Sequence, residues 1–299
     1  MPDRSLPRTR LDVLFASSAK TAVLLRRNPR THFHLITWDL ATDMFVRGQW
    51  MVGHVGLWDL SPNGRKLLYW AHQYRPAAQA RRRAEAEGES GPTGFEPLQT
   101  AMRARSPKKR EMRRRVPRYM EDHGASNKRG RVRPNEGCWT AISSPPYFSA
   151  LAIWPSRGHW TGGGRFESDH EILLNEFNDG IVGKENVRMP PRFKIRSLDD
   201  KPFAFRDPSP PVAPRPSMLD PALRNDLRAA LEQNGAIWVE WAMPQDNGDL
   251  LFACDGCIYR LNSWQAADPS TYLSRARKLA DFNGLTFEPV RPPPEAMRW

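Results

Sequence analysis

One unit recurs in this chain and limits what it can become. "DLSPNGRKLLYW" (Asp59–Trp70) and "AMPQDNGDLLFA" (Ala242–Ala253) share the same form. Each is the end of one strand, a Pro-containing turn closing on Asn-Gly, and then an apolar strand. "ASSAKTAVLL" near the start is a weaker third copy. Around these copies lie short β patterns: "LDVLFA", "TAVLLRR", "FHLITWDL", "MFVRGQW", "VGLWDL", "CWTAIS", "YFSALAIWP", "AIWVEWAM", "DLLFAC" and "CIYRLN". Short strands with turn signals at regular spacing mark a sandwich, barrel or propeller. A repeated strand–turn–strand unit favours the propeller, because one small sheet cannot hide both faces and several packed together can.

The stretch from Ile36 to His72 carries the most detail. It has Trp38-Asp39 at the end of one strand, Gly53-His54 ahead of the next unit, and Ser61-Pro62-Asn63-Gly64 before an apolar strand. These residues resemble the repeat of WD-repeat and TolB-like β-propellers over about one repeat. That resemblance implies a ring of blades and a binding surface, and no activity. The expectation is an all-β chain, residues 1–299 as a single domain. It would be an irregular β-propeller of about five blades, within a range of four to six.

Net charge is +12 over 299 residues, and it is concentrated in one segment. Residues 75–135 hold 17 Lys/Arg against 7 Asp/Glu, a net of +10, which leaves the rest of the chain near neutral. The segment is poor in aliphatics and cannot bury enough apolar surface to offset the entropy of ordering, so it reads as a long disordered basic insertion within a blade. Lys108, Lys109, Arg110, Arg113, Arg114, Arg115 and Arg118 fall within its "SPKKREMRRRVPR" stretch. Such a cluster neutralises phosphates, which points to nucleic acid through residues 103–133. It suits an acidic protein surface equally well, or serves only as a solvated loop.

"LLFACDGCIYRLN" (Leu250–Asn262) sets Cys254 and Cys257 in a C-x-x-C spacing. A redox dithiol wants a helix N-terminus, and none follows. A zinc site needs four ligands; Cys138 and a histidine would have to join the pair. The plain reading is a hairpin, with Asp255-Gly256 as a type I′ turn. Asn63-Gly64 and Asp255-Gly256 are thus expected to be structural turns. His32 and His34 share one strand face, but no third ligand is evident; "SDHE" (Ser168–Glu171) and "MEDH" (Met120–His123) are equally incomplete, and His54 fits a structural role in the blade. "TGGGRF" (Thr161–Phe166) lacks the lysine and following helix of a phosphate loop, Gly183-Lys184 is followed by Glu185, and no G-x-S-x-G elbow occurs. No catalytic residue, metal site or cofactor is expected.

The eleven tryptophans, among them Trp38, Trp58, Trp70, Trp139, Trp154, Trp238 and Trp241, are expected by default to pack between blades, with a pocket-lining role on the top face left open for a few of them. "DPALRNDLRAALEQNG" (Asp220–Gly235) carries helix start, stripe and stop signals and reads as a helix inserted between blades. Residues 207–217 form a proline-rich connector. "ARKLADFNGLTFEPV" (Ala276–Val290) reads as two strands about Asn283-Gly284, the second closing the ring on the N-terminal blade. No signal sequence or apolar run of about 18 residues is seen, which leads to the expectation of a cytoplasmic protein without a membrane span. The functional expectation is a non-enzymatic protein-interaction scaffold. The alternatives are a nucleic-acid-associated protein using the insertion, and a propeller enzyme with a central-channel site.

Overall fold

A computed structural model describes residues 9–27, 32–72, 138–156, 163–174, 190, 192–197, 213–216 and 219–299. Within them the chain is mostly β. Sheet I holds β1 (Arg10–Phe15), β2 (Thr21–Arg27), β3 (His32–Asp39) and β4 (Met44–Val52) in that spatial order. Sheet II is β5 (His54–Leu60), β6 (Leu67–His72), β7 (Cys138–Ser143) and β8 (Ala152–Ser156). Sheet III is β9 (Gly164–Ser168), β10 (Glu171–Leu174) and β11 (Lys194–Ser197), with β11 parallel to β10. Sheet IV is β12 (Val239–Pro244), β13 (Leu250–Cys254), β14 (Cys257–Leu261) and β15 (Arg277–Asp281). Sheets I, II and IV are antiparallel meanders of consecutive strands.

The apolar runs are explained by what lies on each side of them. In β2, Val23 and Leu25 face sheet II, while Ala22 and Leu24 face sheet IV. In β13, Leu251 and Ala253 face sheet I, whereas Leu250, Phe252 and Cys254 face a helix. Side chains alternate across a strand, so a strand covered on both faces must be apolar throughout. Leu68 and Ile142 of sheet II meet Phe166, Ile172 and Leu174 of sheet III. The layers therefore run III–II–I–IV. The outer face of sheet IV is closed by α1 (Pro221–Gln233) through Leu227, Ala230 and Leu231.

Helix α1 begins where its signals place it. The Asp220 carboxylate caps the amides of Ala222 and Leu223 at 2.9 and 3.1 Å, and Pro221 opens the first turn. The reading of Ala276–Val290 as two strands is corrected: β15 is a strand and pairs with β14, but Leu285–Val290 form none. That tail is held by a side chain instead. The buried Arg26 donates to the carbonyls of Phe282, Asn283 and Leu285. The tail then crosses sheets I, II and III in turn. Phe287 packs on His32 and Trp50, the Ser149 hydroxyl donates to Ala296 O, and Trp299 meets Phe193. "YFSALAIWP" yields a strand only from Ala152 onward, and β11 has no counterpart among the sequence expectations.

The repeated unit has one structural meaning. All three copies are the hairpin between the first and second strands of a sheet. Ala16, Ser61 and Gln245 each donate a backbone N–H back across the turn, to Thr21, Lys66 and Asp249. Asn63 and Asn247 play the same part: each carboxamide oxygen accepts the N–H two residues on, from Arg65 and Asp249. The glycine after each takes the left-handed conformation, φ 74° at Gly64 and 83° at Gly248. Both residues of the Asp255-Gly256 turn also have positive φ, 52° and 74°, as a type I′ turn requires.

No helix among the described residues is long and apolar enough to cross a membrane. The basic insertion and residues 207–212 and 217 of the connector lie outside the described residues.

Candidate functional site

The four first strands come together. β1 touches both β5 and β12, and β5 touches β9. Their hairpin turns gather at one end: Ser18 donates its N–H to Pro62 O at 2.9 Å, and Asn63 N–H donates to the Asp169 carboxylate at 2.9 Å. At the same end Arg260 joins Asp249 of sheet IV to Asp43 and the Leu40 carbonyl of sheet I. The opposite end carries the second turns and the starts of β1, β5 and β12.

Between the first strands runs the end of the proline-rich connector. Pro214 O accepts the N–H of Phe15, and Ala213 is fully buried. Asp59 organises this centre. Its carboxylate is fully buried and accepts the N–H of Phe166 at 2.6 Å and that of Ala213 at 3.3 Å, with Arg215 at 3.8 Å. Burial still pushes its pKa up to about 6. One carboxylate thereby ties sheet II to sheet III and to the connector. The only signal of burial in the local pattern around "LWDLSPNG" is the place of Asp59 within an apolar strand.

Beside the connector lies a cleft of about 290 Å³. Pro216 forms one wall, Arg224, Asn225 and Arg228 of α1 another, and Val239–Ala242 of β12 the third. Among the described residues β12 pairs with β13 alone. A bulge between Val239 and Trp241 takes Glu240 out of register and re-aims it. The Glu240 Oε1 accepts the N–H of Gly256 at 3.3 Å, Oε2 is shielded from solvent, and burial pushes the carboxyl up to about 7. Just before β12, Ile237 and Trp238 are exposed. The Asp255 carboxylate fixes their backbone N–H groups, and Arg10 lies 5.2 Å over the indole. The default expectation that the tryptophans pack between sheets is met at Trp38, Trp58, Trp139, Trp154 and Trp241, while Trp238 is exposed. Sequence reading did not find this site, because its members come from α1, β12, the connector and β1.

The cysteine pair is a hairpin end. Cys254 and Cys257 face each other across the two-residue turn, both buried and free. Burial pushes the Cys254 thiol up to about 12, with Asp255 and Glu240 adding to it, and it raises Cys257 as well. Neither is a ready nucleophile. Cys138 sits in sheet II, in register with His72, and not in the sheet of the pair. Among the described residues no three His, Cys, Asp or Glu side chains gather as a metal site. His32 and His34 diverge in role: His34 is buried, stacked on Trp50 at 4.2 Å and within 3.2 Å of Gly48 O, while His32 meets Phe287. Gly163 backs onto the Trp58 ring, where a Cβ would clash, and its N–H donates to Thr140. Gly183-Lys184 and His123 lie outside the described residues, as do Lys108, Lys109, Arg110, Arg113, Arg114, Arg115 and Arg118.

The register shows where the basic insertion is rooted. His72 and Cys138 are partners across β6 and β7, as Cys254 and Cys257 are across β13 and β14. The two turns occupy the same position in their sheets.

No family model matches this chain. Neither does any curated protein or any solved structure.

Proposed function

We propose that the protein is a non-enzymatic protein-interaction scaffold built as an irregular β-propeller. The observation that carries this reading is the face-to-face packing of the sheets, with first strands β1, β5, β9 and β12 adjoining and equivalent turns at a common end. On this reading the four sheets are blades, and α1 covers the face of sheet IV that a further blade would cover. A rigid frame of this kind leaves its loops free to vary, which suits partner binding. The likeness of Ile36–His72 to WD-repeat and TolB-like units agrees with it. Affinity purification of the tagged full chain from its native host, with chemical crosslinking and quantitative mass spectrometry, tests the reading. Recovery of a reproducible protein partner near stoichiometry is the expected result; recovery of the chain alone would remove the scaffold role.

A second reading has one observation behind it. Both ends of the basic segment are rooted at the end of the molecule that carries Arg10 and Arg27. On this reading the segment binds nucleic acid with salt-sensitive affinity. Deleting residues 75–135 should abolish such binding; binding that survives the deletion excludes it.

A further inference from the structure

Arg26 is 1% exposed and carries its charge into the packing of sheet I against the tail. Burial lowers its pKa, yet a guanidinium keeps its proton inside a protein. Its N–H groups are unevenly served. Nε donates to Phe282 O at 2.7 Å, and Nη2 reaches Thr9 Oγ1, Asn283 O and Leu285 O at 3.4, 3.3 and 3.1 Å. Nη1 carries two further N–H groups, is closed to solvent and meets no acceptor.

Every partner the side chain does have is neutral: three carbonyls, a hydroxyl and the Trp50 ring. Among the described residues no carboxylate pairs with it; Asp12 on β1 pairs with Arg27 instead. His34, its register partner on β3, is 2% exposed, and the charges that act on it are Arg26 and Arg47, both positive. The adjoining sequence is poor in acids, since residues 28–31 hold none and residues 1–8 only Asp3. A buried charge left without a counter-charge costs more than a hydrogen bond left unmade. The cover is also thin: Asn283, Gly284 and Thr286, over the guanidinium, are exposed.

We propose that Arg26 Nη1 binds a small monovalent inorganic anion, of the class of chloride, beneath the tail at Asn283 to Leu285, and that the anion helps to lock the tail onto sheet I. Two charge-assisted hydrogen bonds from Nη1 would hold it. A water bridging Nη1 to the unpartnered Nδ1 of His34 would satisfy both atoms but leave the charge uncompensated. An anion removes the larger cost. The site does not depend on the scaffold role.

The test uses the full chain at neutral pH and constant ionic strength, with sodium chloride replacing sodium gluconate, whose anion is too large for the site. An anion that binds the folded state alone stabilises it by mass action. The folding equilibrium constant from urea denaturation should therefore rise at least about threefold between about 5 and about 300 mM chloride. Bromide should act likewise. Arg26→Met should lose the dependence, and deletion of residues 75–135 should keep it. Crystals grown in sodium bromide should show an anomalous bromide peak within hydrogen-bond distance of Arg26 Nη1, a measurement that decides even where Arg26→Met does not fold. The proposal is overturned if water alone occupies that position, if Arg26→Met keeps the parent's chloride dependence, or if the dependence vanishes with the deletion. A bromide peak without a chloride effect on stability marks an adventitious ion only and overturns it too. So does a parent indifferent to chloride whose Asp3→Asn variant becomes chloride-dependent, because the counter-charge then belongs to the chain itself.

Discussion

The Arg26 Nε donates to the Phe282 carbonyl at 2.7 Å, joining the second strand of the chain to the residue that follows its last strand. The same guanidinium reaches the carbonyls of Asn283 and Leu285, and its carbon lies 5.4 Å over the Trp50 ring. One side chain therefore does the work that a closing strand was expected to do.

Arg26→Met keeps the apolar stem and removes the donors. It leaves the buried Phe282 carbonyl and two part-buried carbonyls without this donor, and should cost about 2–4 kcal/mol. Arg27, its neighbour, pairs with Asp12 at 2.6 Å with both side chains more than two-fifths exposed. Arg27→Met should therefore change stability by no more than about 0.5 kcal/mol. Urea denaturation of the two variants, side by side, checks the contrast; equal losses would mean that Arg26 does not hold the tail.

Gly48 sits where no other residue fits. A Cβ there would lie 1.9 Å from Pro146 O and 2.3 Å from Pro146 Cβ, because β4 presses against the loop between β7 and β8. Gln49 N–H donates to that same Pro146 carbonyl at 2.9 Å, so the loop cannot move off without losing a bond. Gly48→Ala should lower stability by about 2 kcal/mol or more. At Gly56 an added Cβ meets nothing within 4 Å, so Gly56→Ala is the matched control. Thermal melts of both variants test the close approach.

Asp59 and Glu240 should make the fold lose stability as pH rises. Asp59 moves from 3.8 to about 6, and Glu240 from 4.5 to about 7, chiefly through burial. The folded state thus holds both protons more tightly than the unfolded chain does. Their stabilising contribution is full below about pH 4, declines through pH 6 to 7, and stays lost above. For Asp59 the separation corresponds to about 3 kcal/mol. His34 opposes this trend: its pKa is lowered to about 4, so it costs stability as pH falls through the range below 6.5. The difference between parent and Asp59→Asn/Glu240→Gln isolates the carboxyls. The double variant should gain on the parent between pH 4.5 and 7.5 in urea midpoint; a constant difference across that range would contradict the assignment.

In a Cys138→Ser variant only Cys254 and Cys257 remain as thiols. Both are buried and held above their ordinary range, so native protein should react with Ellman's reagent only on unfolding. Prompt reaction of two thiols in the folded protein would restore the redox reading of the C-x-x-C spacing.

Much of the frame was legible in the sequence. Turn chemistry is local: Asn63-Gly64 and Asp255-Gly256 form turns because Gly tolerates positive φ and Asn bonds its own backbone. The α1 signals are local too, since Asp220 caps and Pro221 starts the helix within a few residues. Apolar runs such as "AVLL" mark strands buried on both faces, and the two-residue turn at Asp255-Gly256 located, by analogy, the point where the basic segment enters β6–β7.

The sequence by itself determined most of the strands, the tight turns and the helix, because each depends on backbone preferences and periodicity over a few neighbours; it missed β11 and offered a strand at Leu285–Val290 that the fold does not form. Only the tertiary structure decided that Asp59 would be buried between two sheets and the connector, that Arg26 would anchor the tail in place of a strand, and that Trp238 would stay exposed beside Arg10. These outcomes join residues more than a hundred positions apart, or depend on what remains uncovered once the layers have packed. No local pattern encodes either, since burial is a property of the assembled layers.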